Sequence, residues 1–164
     1  MNSMNRWKRI LFFTIGFVLS ACTPKQYVEQ NAALIVFKTP TFKYADMGFI
    51  YRNKEEIKAE IYGSGQALMV LEISENNVCM SLLECMGKKS FNQKVLSALY
   101  PDEILDDIFR GKVIFNGAGL AKSSNGFTQN IIKENKYNIH YSVLNNEVIF
   151  RDTINTILIK IKKQ

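Results

Sequence analysis

Alternation with a period of two, sustained from Gly126 to the C-terminus, most constrains what this chain can fold into. Tyr137, Ile139, Tyr141 and Val143 fall on one side of an extended chain, with Asn138, His140 and Ser142 on the other. Successive side chains of a strand point to opposite faces, so the pattern makes a half-buried strand and no amphipathic helix. Asn145-Asn146 reads as a turn, because Asn tolerates positive φ and its side chain bonds its own backbone. Val148 and Phe150 follow, a second turn lies near Asp152 to Asn155, and Ile157, Ile159 and Ile161 then alternate with Leu158, Lys160 and Lys162. With Gly126 to Lys133 this predicts a four-stranded antiparallel meander, one face apolar and the other mostly wet.

The first half shows the same period more faintly. Pro24 and Pro40 flank a first apolar run, Leu34 to Phe37. Ile57, Ala59 and Ile61 alternate with Lys58, Glu60 and Tyr62, and Ala67, Met69, Leu71 and Ile73 alternate with Leu68, Val70 and Glu72. Gly63-Ser64-Gly65 between these runs reads as a hairpin turn. Between the two strand groups the period becomes helical. Ser90 with Gln93 three residues on is a capping-box signature, and Phe91, Val95, Leu96 and Leu99 share one face. A second short helix is predicted to start around Pro101, with Asp102 and Glu103 at the positive end of its dipole and Gly111 as its C-cap. Ile104, Leu105, Ile108 and Phe109 line its apolar side, with Asp106, Asp107 and Arg110 on a solvated one. The fold class that follows is mainly β (α+β): a curved antiparallel sheet or half-open β-barrel, with two short helices inserted between the strand groups as a lid.

The N-terminus carries an address. Arg6, Lys8 and Arg9 precede Ile10 to Val18, apolar apart from Thr14 and Gly16, and Leu19-Ser20-Ala21-Cys22 follows. A basic segment, a short apolar core and small residues make a secretory signal, too short and wrongly flanked for a membrane span. The Leu-Ser-Ala-Cys ending resembles the lipobox of bacterial lipoproteins. That resemblance implies cleavage of residues 1–21 and acylation of Cys22, whose lipid anchors the protein in a membrane; an ordinary secreted chain with an incidental Cys22 is the alternative. One acyl chain binds only marginally, whereas two or three hold stably. Thr23, where the family's inner-membrane retention signal is Asp, favours the outer membrane facing the periplasm. Residues 22–33 then form a lipidated N-terminus and tether, and 34–164 a single β-rich periplasmic domain.

Without the signal, 143 residues remain, one domain's worth. The signal holds three of the 21 Lys+Arg and none of the 15 acids, so the net charge falls from +6 to +3. The apparent basicity is therefore largely a targeting signal. Lys160, Lys162 and Lys163 lie beside apolar residues and fit a solvated strand edge better than a nucleic-acid patch. No nucleic-acid partner is expected. The only Trp is Trp7, within the signal. Cys79 and Cys85 remain, and an oxidising periplasm allows a disulfide staple between them. Two buried thiols or half a metal site are the alternatives, although a Cys-x₅-Cys spacing fits no common zinc pattern.

No catalytic constellation is evident. His140 is the only histidine and lies on the polar face of its strand. Asp106, Asp107 and Glu103 read as a solvated helix face, since adjacent aspartates point in different directions. Gly111, Gly117 and Gly119 do not form a nucleotide fingerprint. A non-enzymatic protein without cofactor or metal is the expectation.

In order of elements the chain resembles the LolA/LolB-type lipoprotein carriers and receptors. The resemblance rests on three stretches: Ile61-Tyr-Gly-Ser-Gly-Gln-Ala-Leu-Met-Val-Leu-Glu-Ile73, similar to an early strand–turn–strand hairpin; Tyr100-Pro-Asp-Glu-Ile-Leu-Asp-Asp-Ile-Phe-Arg-Gly111, similar to a Leu-Pro helix ending in Gly; and the closing meander, Tyr137 to Lys162. It implies an incomplete antiparallel β-barrel with helices over its opening, and an apolar concave face that takes acyl chains or lipoproteins. The chain departs from the family's receptor at Gly63-Ser64-Gly65, where a protruding apolar loop is expected and no bulky residue stands. The candidate cavity liners are Met69, Leu71, Ile73, Ile104 and Ile108, with Tyr137, Ile139, Tyr141, Phe150 and Ile157 from the meander. The same alternation equally builds a filled core, as in a lipid-tethered scaffold or interaction protein of an envelope complex.

Overall fold

A computed structural model describes residues 26–81 and 83–164. The signal, Cys22 and the start of the tether lie outside the described residues. Eleven strands form one antiparallel sheet: β1 (Glu29–Lys38), β2 (Lys43–Arg52), β3 (Ile57–Gly63), β4 (Gln66–Ile73), β5 (Asn77–Met80), β6 (Leu83–Gly87), β7 (Leu120–Ser123), β8 (Gly126–Lys133), β9 (Tyr137–Leu144), β10 (Glu147–Asp152) and β11 (Ile157–Lys163). Their spatial order is β6-β5-β4-β3-β2-β1-β11-β10-β9-β8-β7, an open sheet whose edges are β6 and β7. Two short helices, α1 (Lys88–Val95) and α2 (Ile104–Arg110), stand between those edges in sequence. The fold is mainly β with an open antiparallel sheet, as expected.

The meander β8 to β11 forms in the predicted register, with Phe150 opposite Tyr141 on β9 and Ile159 on β11. Asn145 takes a φ of 54° in the β9–β10 turn. Ser64 and Gly65 join β3 to β4 with φ of 51° and 79°, the doubly left-handed turn that matches strand twist. Pairing of β1 with β11 closes the two strand groups into one sheet. That places β11 at its centre, which corrects the reading of Lys160, Lys162 and Lys163 as a solvated edge. Lys160 pairs with Glu147 at 2.8 Å and Lys163 with Glu29 at 3.2 Å across neighbouring strands, while Lys162 is exposed. Because β1 begins at Glu29, the sheet also takes in residues 29–33, assigned above to the tether.

The inward positions of every long strand meet in one core that includes Ile35, Phe37, Ile61, Leu71, Phe91, Phe109, Tyr141, Phe150 and Ile159. The topology determines what covers it. The consecutive strands β6 and β7 sit at opposite edges, and a flat sheet of this many strands is about 48 Å wide at ~4.8 Å per neighbour. Residues 88–119 must therefore cross the full width. They do so over the apolar face, with Phe91 and Val95 of α1 and Ile104, Leu105, Ile108 and Phe109 of α2 buried.

Helix boundaries differ from the sequence pattern for local reasons. β6 runs straight into α1, so Gly87 occupies the N-cap without a side-chain bond and Ser90 lies inside the helix. The helix ends at Val95, which leaves Leu99 beyond it and 48% exposed. α2 starts at Ile104, after a turn in which the Ile104 amide donates to the Pro101 carbonyl at 3.1 Å. Gly111 terminates it with a φ of 68°. The Gly111 amide donates to the Ile108 carbonyl and the Lys112 amide to that of Asp107, the paired bonds of a Schellman motif.

Candidate functional site

The alternation places all ten predicted liners on the inner face and buries each of them. Met69, Leu71 and Ile73 project from β4, Ile104 and Ile108 from α2, Tyr137, Ile139 and Tyr141 from β9, Phe150 from β10 and Ile157 from β11. None is more than 9% exposed. The β9–β10 side is rich in rings: Tyr141 lies 6.3 Å from Phe150, Tyr100 5.8 Å from Phe150, and Phe115 5.2 Å from Tyr137. None of the ten lines either of two surface depressions. One, of about 130 Å³, is bounded by Arg52, Gly111, Val143, Asn146, Val148, Ile161 and Lys163, among others. The other, about 390 Å³, is a charged groove that includes Lys54, Lys88, Glu103 and Lys112.

Polar bonds tie the crossing segment to the sheet, and of the residues that make them the sequence did not single out Arg52 and Gln129. Arg52, inward-facing on β2, donates from Nη2 to the Phe109 carbonyl at 2.5 Å and from Nη1 to Glu29 at 3.3 Å. Its Nε is buried and has no acceptor among the described residues. Arg110 of α2 reaches back to the Asn53 carbonyl at 2.9 Å. On the other side, the Tyr141 hydroxyl donates to the Lys112 carbonyl at 2.9 Å. Gln129, fully buried on β8, exchanges bonds with the backbone of Ile114 at 2.8 and 2.9 Å and donates to the Ala118 carbonyl at 2.8 Å. A signal for Gln129 was present: it shares the inner face of its strand with Ile131, where an amide must find partners.

Asp152 is the hub of these ties. Its carboxylate accepts the Tyr100 hydroxyl at 2.5 Å, the Asn155 side-chain amide at 2.6 Å, and the backbone amides of Asn138 and Ile154. Burial opposes its ionisation, but the bonds from Tyr100, Asn155 and the backbone outweigh that and hold its pKa below the ordinary value. Tyr100 is pushed far above the usual phenol range by burial and by that same carboxylate. Tyr141 is raised by burial and by the charge of Asp107. Both phenols are donors at every physiological pH.

Asp106 and Asp107 are not the solvated pair expected. Asp106 pairs with Arg110 at 3.0 Å and with Lys112 at 3.5 Å. Burial, with the charges of Asp106 and Glu103, raises the pKa of Asp107 against the pull of Lys112. The Asp106 carboxylate therefore serves the end of α2. Lys88, buried at the start of α1, forms an ion pair with Glu103. His140 is exposed, with Nδ1 2.8 Å from Asn130 Oδ1.

Cys79 on β5 and Cys85 on β6 face each other across their hairpin with sulfurs at a bonded distance of 2.10 Å, a disulfide. Among the described residues no group of three or more His, Cys, Asp or Glu is placed to hold a metal. No described helix is long and apolar enough to cross a membrane.

Comparison with protein-family models gives no match for this chain. Comparison with curated proteins gives none either.

Proposed function

We propose that this chain is a periplasm-facing outer-membrane lipoprotein, anchored through Cys22, that takes acyl chains or lipoproteins against the inner face of its sheet. The lipobox-like Leu19-Ser20-Ala21-Cys22 supports the anchor. The observation that carries the ligand reading is the segment 88–119, which crosses an apolar sheet as a lid and is fastened to it by a few discrete polar bonds. Ligand pockets are mostly apolar with a small number of placed polar groups, and this face has that composition. In this reading α2 lifts when the bonds from Arg52, Arg110 and Tyr141 are released and its buried apolar side chains leave the sheet, which opens the inner face without unpairing a strand. The LolA/LolB-type resemblance of the three sequence stretches points to the same reading. No step in it is catalytic.

Native mass spectrometry of the protein purified from membranes tests it. Non-covalent phospholipid or lipoprotein retained beyond the covalent lipid on Cys22 is expected. Absence of any such lipid, together with no uptake of added acyl probe, overturns it.

Burial of all ten liners favours a second reading, a lipid-tethered scaffold with a permanently filled core. A stoichiometric protein partner recovered from solubilised membranes, with no lipid bound, would establish that instead.

A further inference from the structure

The outer side of β1 to β3, opposite the core, is not the wet face that alternation leads one to expect. Met47, Phe49 and Tyr51 project outward from β2, and the register sets Ala32, Phe49 and Glu60 in one row and Gln30, Tyr51 and Lys58 in the next. Met47 is 41% exposed and Phe49 37%. The rings form a chain: Tyr27 lies 5.5 Å from Tyr51, Tyr51 6.3 Å from Phe49, and Phe49 6.0 Å from Tyr62. Glu60 lies beneath them, 8% exposed, pairing with Lys58 at 2.5 Å and accepting the Tyr62 hydroxyl at 2.9 Å. Lys58 also sits 5.5 Å above the Tyr51 ring. Glu60 is paired by Lys58, which Glu72 of β4 also faces, and beside these charges the cluster presents aromatic rings, a thioether and hydroxyl tips.

We propose that this outer face lies against a phospholipid bilayer, with its rings at the headgroup level. The inference rests on the reading of Cys22 as the lipid-bearing residue. What commits the face to a membrane is where the chain enters it. Tyr27 is itself part of the patch. The backbone around it is pinned beside β2, since the Gln26 carbonyl accepts from Asn53 Nδ2 at 3.2 Å and the Val28 amide donates to the Arg52 carbonyl at 2.9 Å. Five residue steps separate Cys22 from Tyr27, a fully extended reach of no more than about 18 Å.

An acylated Cys22 therefore holds Tyr27, the near end of the ring chain, within about 18 Å of the interface, whose headgroup layer is itself about 5–7 Å thick per leaflet. Tethering makes any further contact intramolecular, so even a weak interfacial affinity suffices to dock the face. Tyrosine suits that depth, with an apolar ring and a polar tip, and aromatic residues concentrate there in membrane proteins. Docked in this way, the sheet turns its inner face and the crossing helices away from the bilayer.

Tryptophan fluorescence tests the placement, because Trp7 lies ahead of Cys22 and cleavage leaves no other Trp in the chain. Phe49→Trp is compared with Ile132→Trp, which sits 73% exposed on β8 at the far side of the sheet. The full chain is produced in a bacterium with its own leader, purified from membranes and placed in phosphatidylcholine–phosphatidylglycerol vesicles whose acyl chains carry bromine. The expected result is a blue-shifted Phe49→Trp emission that loses most of its intensity to the bromine, beside an Ile132→Trp emission that keeps its own. Tyr62→Trp replaces Phe49→Trp if circular dichroism shows that the latter does not fold.

Equal, unquenched emission from both variants, with an acylated Cys22 seen by intact mass, overturns the docked face and leaves the anchor standing. An intact mass that retains residues 1–21 and no acyl group overturns anchor and docked face together. A blue shift without bromine quenching, in a species of dimeric mass, assigns the face to a second copy and overturns the membrane placement.

Discussion

Over β3, β4 and β5 the inner face is aliphatic, built from Ile57, Ala59, Ile61, Met69, Leu71, Ile73, Val78 and Met80, and α1 meets it with Phe91 and Val95. Over β8, β9 and β10 the aliphatic Ile131, Ile139 and Val148 are joined by rings and polar groups, Gln129, Tyr137, Tyr141, Phe150 and Asp152. The first half is held by contact area, which is non-directional and tolerates small displacements. The second is held by bonds to named carbonyls, which specify one position for the chain that crosses it. With α1 continuing directly from β6 and α2 placed by a few directional bonds, the segment is arranged so that α2 can pivot about α1. The expected consequences differ for the two halves, and each comparison below can break that division.

Asp152→Ala should have the largest effect. It leaves the buried Tyr100 hydroxyl and the part-buried amides of Asn138 and Ile154 without their acceptor, and each buried donor stranded in this way costs about 1–3 kcal/mol. Urea denaturation followed by tyrosine near-ultraviolet dichroism measures it, and a loss under ~1 kcal/mol would show that Asp152 is no hub. The same carboxylate sets an acid limb. Its folded pKa lies below the ordinary 3.8, so its stabilisation is complete above that value and is lost as pH falls through the depressed one. In the Asp152→Asn variant, stability should fall less steeply over that interval than in the parent.

The disulfide sits on the aliphatic side, where β5 and β6 are short and β6 is an edge. Replacing Cys79 and Cys85 by Ser should cost about 2 kcal/mol, the constraint expected from so small a loop. Hydrogen exchange should then rise over residues 77–95 while the amides of β9 and β10 stay protected. Loosening spread evenly over both halves would contradict the division.

The division also explains what the sequence showed. Strands whose inner residues are apolar and outer ones polar, such as β9 and β11, announce themselves by alternation. β2 does not, because its pattern is mixed: Gly48 and Arg52 share the inward side with Ile50, while Met47, Phe49 and Tyr51 face outward. Gly48 is required there, since a Cβ built on it would lie 1.9 Å from the Glu60 carbonyl oxygen. β5, β6 and β7 are each five residues or fewer, too short for a period to register. The ten liners were legible because burial is a property of the local pattern. The ties were not, because Arg52 and Phe109 stand 57 residues apart and Tyr141 and Lys112 stand 29 apart. No local pattern links an arginine or a phenol to a distant backbone carbonyl, and only the crossing of the sheet by residues 88–119 brings them together.

The mildest comparison is the sharpest. Tyr141→Phe keeps the ring against Phe127 and Phe150 and removes only the hydroxyl that holds the Lys112 carbonyl. It should cost about 1 kcal/mol. Leu71→Met on the aliphatic half conserves volume and should cost less than about 1.5 kcal/mol. Global unfolding therefore hardly separates the two variants, and local exchange does. Losing the hydroxyl should speed exchange of the α2 and Lys112 amides selectively, because it removes one of the few bonds that fix the segment's position. The methionine should leave those amides unchanged, since a flexible thioether refills the space in the core without specifying where the chain lies. If Leu71→Met loosened α2 as much as Tyr141→Phe, the segment would be held by packing along its whole length, and the pivot would be lost.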